Sequence, residues 1–469
     1  MRNPFGNDVA VIRLLSQKLV SRKSDFVYPN PQPPIMPRPP DSRSDSRRRR
    51  MSTAQAVQEA YGVPPRAQAP LAREHLADRE LNADEPLPTI ELKSPTWHVH
   101  LFRKRLGAWD PRANHGDLVR VALSGGETFG YGLFNPRSEI TVRLLSRGES
   151  IPDRQWWRGR LEAAVSLRRE LLRLDERTDA YRLVHAEGDG LTGLVVDRYG
   201  PVLSAEIFSL AIWQRRRELL SLLGEIAGTT HWIARPGPRT ARQEGFEAGL
   251  EWSDGCPEHL NIVEDRRRFR IDLAGGHKTG YFCDQRENRR VVGEFAAGRS
   301  VLDLCCYTGG FGITAEAGGA ASVTGIDLDE QAIAIAKQNA KLNRGKARFV
   351  HSDAFNYMRD IAGNDQKFGL VVLDPPKLIA SRQDFEEGRK RYFDMNRLAI
   401  PLVEPGGLLM TCSCSGLMPL DEFRRTVFAA APGGRRIQIL ETRGAAPDHP
   451  IASDCPDSEY LKALWLRIN

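Results

Sequence analysis

No apolar run in this 469-residue sequence approaches the roughly 18 residues that a membrane-spanning helix requires. The apolar centre of a secretory signal is also missing, because Arg13 interrupts Val9–Leu15. Both absences point to a cytoplasmic chain with no membrane partner. Cysteine is scarce: there are seven, an odd number, and Cys283, Cys305, Cys306, Cys412 and Cys414 crowd into one region. Reduced thiols in a cytoplasm fit that pattern better than a disulfide framework. Paired Cys-x-x-Cys and matching His spacings are lacking too, so no zinc site and no other metal is expected. A charge surplus is missing from most of the chain as well. The formal net charge is +7, but residues 1–50 hold 11 Lys/Arg against 4 Asp/Glu, which leaves 56 of each sign in residues 51–469. A nucleic-acid surface would therefore have to come from local clustering.

Among the features that are present, residues 301–312, Val-Leu-Asp-Leu-Cys-Cys-Tyr-Thr-Gly-Gly-Phe-Gly, organise the rest. An apolar strand ends at Asp303–Leu304, Thr308, Gly309 and Gly310 turn the backbone, and an Ala-rich helix follows over about Phe311–Glu316. Glycine suits such a turn because a missing Cβ lets backbone N–H groups approach a ligand. The next strand, Ser322–Asp327, ends in a carboxylate placed to hold ribose hydroxyls. Ala347–Asp353 ends in Asp353, a candidate acceptor for an adenine amino group. Phe368–Lys377 runs into Asp374-Pro375-Pro376-Lys377, and Gly406–Gly416 ends in thiols. Apolar runs separated by helical stretches indicate a parallel sheet covered on both faces, whose strand ends carry the ligand groups.

On either side of this α/β core the chain divides. Residues 1–87 read as an unfolded extension, with Pro29–Pro40 rich in proline and Ser42–Arg50 rich in Ser and Arg; a basic RNA arm and a start at Met51 are the two readings of it. Residues 88–152 alternate like a small β-barrel, with strands at Trp97–Phe102, Leu118–Leu123, Phe129–Phe134 and Ile140–Leu145. Residues 153–270 form a middle α+β segment. It opens with a helix over Asp153–Asp175 and holds strands at Leu191–Val196 and Val202–Phe208. Its Arg215–Arg217, Arg235–Arg242 and Arg266–Arg270 clusters are the candidate phosphate contacts. Residues 271–469 hold the catalytic sheet, closed by strands at Arg436–Thr442 and Tyr460–Ile468.

Over roughly residues 90–469 the sequence resembles class I S-adenosylmethionine-dependent methyltransferases. More narrowly, it resembles bacterial 23S rRNA 5-methylcytosine methyltransferases with an N-terminal PUA domain. The resemblance rests on Tyr181–Tyr199, Gly276–Arg289, Leu302–Phe311, Asp374–Lys377 and Ser413–Gly416. It implies a Rossmann-like domain preceded by a PUA-like barrel, with 23S rRNA or an assembling large subunit as partner and a homodimer left open. It also implies S-adenosylmethionine held by Asp303, Tyr307, Thr308, Gly309, Asp327, Asp353, Gln285 and Arg286. His277 and Lys278 are further candidates for contact with substrate. Where the family has His-Pro-Trp, this chain has Lys104-Arg105-Leu106-Gly107-Ala108-Trp109.

Carbon 5 of cytosine is a poor nucleophile, so a thiolate must first add to C6. Carried over from the family, Cys414 is that nucleophile and Cys412 a buried neighbour. Asp374 would orient the base, and Pro375, Pro376 and Lys377 would border it. The base itself must be splayed out of folded RNA. Two alternatives stay open: a purine N-methyltransferase, which needs no thiol, and a non-catalytic rRNA-binding assembly factor.

Overall fold

The computed structural model describes residues 71, 73–82, 86–276 and 279–469. The expectations for residues 1–70, and those for His277 and Lys278, lie outside these residues. The unfolded extension ends sooner than residue 87. Arg73–Leu76 is a 3-10 turn, and Leu81, only 2% exposed, sits in the core of the segments that follow. Two polar contacts hold it there: Arg79 pairs with Asp117 at 2.5 Å, and the Leu81 N–H donates to Glu218 at 2.8 Å.

Six short strands, Thr89–Leu92, His100–Leu101, Leu106–Trp109, Leu118–Leu123, Thr128–Phe134 and Val142–Arg147, make the first sheet. Period-2 alternation buries Ile90 with Leu92 and Val119 with Val121 in a core of their own. The expected strand at Trp97–Phe102 shrinks to His100–Leu101. The first strand, absent from the sequence reading, pairs parallel with Leu118–Leu123.

The helix that opens the middle segment spans Arg154–Ser166, with the Asp153 carboxylate accepting the Trp156 N–H at 2.8 Å as its cap. It stops short of Asp175: a π turn covers Leu167–Leu171, and Arg173 turns left-handed at φ 51°. Trp157, Leu161 and Ala164 face the core, but Leu171 is exposed and Arg168 is buried. Arg168 donates to Asp189 at 2.6 and 2.9 Å and to the Asp448 carbonyl at 2.6 Å. A charge can be buried there because every donor direction is paired.

A five-stranded sheet follows, in the order Glu251–Trp252, His231–Pro236, Val202–Ile207, Leu194–Tyr199 and Ala180–His185, with helix Leu210–Ala227 packed on it. The expected basic cluster at Arg215–Arg217 is mostly internal. Arg215 donates to the Gly116 and Ala211 carbonyls, and Arg216 pairs with Glu251 and Asp78. Both are buried, so neither reaches phosphate. Arg217, Arg239 and Arg242 stay at the surface.

The catalytic sheet has seven strands: β1 (Ser300–Leu304), β2 (Ser322–Asp327), β3 (Arg348–His351), β4 (Phe368–Leu373), β5 (Val403–Ser413), β6 (Ile437–Arg443) and β7 (Lys462–Ile468). Their spatial order is 3-2-1-4-5-7-6, parallel from β3 to β5, with β7 antiparallel to both its neighbours. The covering helices are α1 (Arg286–Phe295), α2 (Gly310–Ala317), α3 (Glu330–Leu342), α4 (Ala354–Ala362), α5 (Phe385–Ala399) and α6 (Leu420–Ala429). All of β4 is buried; Val371 and Leu373 pack into one apolar cluster and Leu370 and Val372 into another. That is how a two-sided parallel strand uses a continuous apolar run. Strand order reverses between β1 and β4, and a crevice at that switch point is where such sheets bind ligands.

Candidate active site

After β1 the chain turns through three left-handed residues, Cys305 (φ 61°), Tyr307 (φ 49°) and Gly309 (φ 84°). Such a turn persists only where its surroundings hold it. The Tyr307 N–H donates to Asp327 Oδ2 at 2.8 Å, and the Asp329 N–H to Asp327 Oδ1 at 2.9 Å. The Thr308 carbonyl accepts from Asn339 at 3.0 Å. Gly309 is required twice over. Its φ disfavours a side chain, and a Cβ there would lie 2.6 Å from the Phe349 ring.

Asp303 is fully buried at the end of β1. Its Oδ2 accepts the Gly312 N–H at 2.9 Å, and its Oδ1 has no hydrogen-bond partner among the described residues. Burial pushes its carboxyl up to about 8, and the nearby Asp374 and Asp327 charges add to the rise. A buried carboxyl oxygen without a partner among the described residues, beside a turn that needs glycine at 309, fits a polar ligand such as the expected S-adenosylmethionine.

The strand-end acids converge. Burial holds the Cys305 thiol far above its usual range, and Asp327, Asp374, Asp303 and Asp353 all act on it in the same direction. Cys306 is shifted likewise; it sits in one apolar cluster and Cys305 packs against another, so both thiols are packing groups. Asp353 lies beyond the end of β3 and caps α4, its Oδ1 accepting the Asn356 N–H at 2.9 Å.

Segment 280–286 lies against the turn. Phe282 and Tyr307 meet edge to face with ring centroids 4.9 Å apart, and the Tyr307 hydroxyl donates to the Gly280 carbonyl at 3.3 Å. Gln285 is buried beside Cys412, and its Oε1 accepts from Asn288 at 2.6 Å. Arg286 departs from the expectation. It is 1% exposed and donates to both oxygens of Asp448, at 3.0 and 2.7 Å. A guanidinium committed in this way ties α1 to the segment before β7.

On the other side of the switch point, Asp374 follows β4, its N–H donating to the Leu304 carbonyl at 3.3 Å. Asp374 is half-buried, Pro375 buried, and Pro376 and Lys377 exposed. Cys414, just past β5, is half-buried with Sγ 3.9 Å from the Pro375 carbonyl oxygen. Ser415 Oγ accepts the Ile379 N–H at 3.1 Å and meets the Tyr392 hydroxyl at 2.9 Å, which pins the thiol loop to the proline turn. Cys412 is fully buried and burial holds its thiol far up.

The sequence reading missed Lys462. This buried amine opens β7 and donates to the Ser415 carbonyl at 2.6 Å and the Tyr460 carbonyl at 2.8 Å. Burial pushes it down to about 8; Cys414 acts against that shift and Lys377 with it, so the three groups are neighbours. The one available signal was a lone Lys at the head of an apolar strand.

A family model described as S-adenosylmethionine-dependent methyltransferase matches residues 182–467, and one described as PUA-like domain matches residues 97–147. The ribosomal RNA large subunit methyltransferase I of Tolumonas auensis is 37% identical over 379 residues, covering 79% of this chain and 95% of that protein. The protein of the same name from Pseudoalteromonas atlantica is 34% identical over 378 residues, with 79% and 95% covered. A solved S-adenosylmethionine-dependent methyltransferase from Streptococcus mutans superposes with a TM-score of 0.68 at 20% identity, covering 81% of this chain and all of that one. Another methyltransferase, solved with SAH, gives 0.67 at 19% identity. These two likenesses show a shared fold.

Proposed function

This chain belongs to the S-adenosylmethionine-dependent methyltransferase family, and we propose that it methylates C5 of a cytidine in large-subunit rRNA. The observation that carries this reading is the half-buried Cys414 thiol lying against the Asp374-Pro375 turn, with Sγ 3.9 Å from the Pro375 carbonyl. The names of its relatives and its PUA-like domain support rRNA as the substrate. The homodimer left open by the sequence finds no support and is no part of the proposal.

S-adenosylmethionine, when bound, supplies an electrophilic methyl group. Asp303, Asp327 and the Tyr307–Gly309 backbone hold it, with Asp353 and Gln285 at its margins. Asp374 hydrogen-bonds the polar edge of a splayed cytosine, and Pro375 and Pro376 keep that turn rigid. The Cys414 thiolate adds to C6, forming an S–C6 bond and moving electron density to C5. After C5 is alkylated, a base removes its proton, the C5–C6 double bond re-forms and Cys414 leaves as thiolate. Burial of the thiol loop excludes bulk water from the adduct.

The test incubates the protein with labelled S-adenosylmethionine and unmodified 23S rRNA, then identifies the labelled nucleoside. Label in 5-methylcytidine is expected. Label in a methylated purine would sink the thiol mechanism and leave the fold and cofactor standing.

A further inference from the structure

We propose that His98, His100 and Cys455 form a zinc site that clips the N-terminal six-stranded sheet to the catalytic domain. One ligand atom from each lies within 4.8 Å of the other two. Zinc bonds of about 2.0–2.3 Å place tetrahedral ligands roughly 3.5 Å apart, so modest side-chain rotations close the set. Two imidazoles and a thiolate select zinc over the oxygen-seeking calcium and magnesium.

The surroundings argue the same way. His100 Nε2 lies 3.0 Å from Glu187 Oε1. The same oxygen accepts from Thr192 Oγ1 at 2.8 Å and from the Gly193 N–H at 3.2 Å, so it is an acceptor for His100 Nε2–H, which leaves the Nδ1 lone pair to a metal. A carboxylate behind an imidazole is how metal-binding histidines are oriented.

His98 Nδ1 accepts the His100 N–H at 2.9 Å, while its Nε2 faces Asp457 Oδ2 at 3.9 Å. Ligation through Nε2 moves the ring proton to Nδ1 and exchanges the N–H contact for a metal bond. Water takes the fourth position, beside the exposed Asp457 carboxylate 3.9 Å from His98 Nε2. Zinc binding forms the Zn–S bond and releases the Cys455 thiol proton to water, with no change of oxidation state.

The two segments already touch, since the Val99 N–H donates to the Asp454 carbonyl at 3.3 Å. The short His98-Val99-His100 spacing did not announce the site by itself, because the thiolate comes from the other end of the described chain.

The full-length protein is stripped with chelator, dialysed with zinc alone and assayed for bound metal. One zinc per chain and a raised thermal unfolding midpoint are expected. Cobalt in place of zinc should give a thiolate-to-cobalt charge-transfer band. That band should vanish in Cys455→Ser, with zinc affinity weakened by roughly 100-fold or more in Cys455→Ser and His100→Asn. Cys256→Ser should keep both signals. A wild-type chain that retains no zinc overturns the site whether or not the variants fold, and so does a cobalt band that survives Cys455→Ser.

Discussion

Around β1 and β2 the site is carboxylate against backbone: Asp303 takes the Gly312 N–H, and Asp327 takes those of Tyr307 and Asp329. Around β4 and β5 it is assembled across the chain. Ser415 links Ile379 to Tyr392 of α5, and Lys462 of β7 reaches the Ser415 carbonyl. The carboxylate contacts of the first half lie within one local β-turn-α-β segment, with Asn339 and segment 280–286 packed against it, whereas the second exists only once four distant segments have packed. Cofactor binding and substrate chemistry should therefore fail separately when the two halves are mutated.

Cys414→Ala is the hardest test of that separation. Methyl transfer to rRNA should fall by roughly 10⁴-fold or more, as for other lost nucleophiles, while the dissociation constant for S-adenosylmethionine by calorimetry stays within about twofold. A variant that methylates at the wild-type rate would remove the covalent step from the proposal. Next in size is Arg286→Ala, which strands the Asp448 carboxylate in the interior. Breaking a buried pair typically costs about 3–5 kcal/mol, read here as a lower urea midpoint. If Arg286 held the cofactor instead, affinity would collapse with little change in stability.

The same division explains what could be read from the sequence. The β1 turn, the strand-end acids Asp303 and Asp327 and the seven-strand architecture were legible because period, glycine and carboxylate lie within a few dozen residues of one another. The contacts of Arg286 and Arg215 were not legible because a guanidinium's partner is set by tertiary packing: Asp448 lies 162 residues from Arg286, and the Gly116 carbonyl 99 residues from Arg215. The expected strand at Trp97–Phe102 failed for a related reason: only His100–Leu101 finds a neighbouring strand. Lys462 escaped because its two acceptors are backbone carbonyls, which every residue has.

Gly309→Val should act on the cofactor half alone. A left-handed valine costs about 1–2 kcal/mol, and its Cβ would press on the Phe349 ring at 2.6 Å. Cofactor affinity should drop about 10- to 100-fold, while a filter-binding measurement of rRNA affinity stays level. Equal losses of both ligands would show that the two halves are coupled and would break the comparison.

In pH dependence the halves should pull in opposite directions. Asp303 carries a carboxyl raised to about 8 from 3.8. Between those values the folded chain holds a proton that the unfolded chain has released, so stability falls as pH rises through that window. Lys462 is lowered to about 8 from 10.5. From pH 8 to 10.5 the unfolded chain holds the proton that the folded chain has lost, so stability rises with pH there. Urea midpoints measured across pH 5–10 should therefore pass through a minimum near 8 in the cofactor-free protein. Asp303→Asn should flatten the acid side, since its amide oxygen still accepts the Gly312 N–H and carries no titrating proton. Lys462→Met should flatten only the alkaline side. If either substitution levels both limbs, the two groups titrate as one coupled site across the β1–β4 switch point, and the halves are not independent.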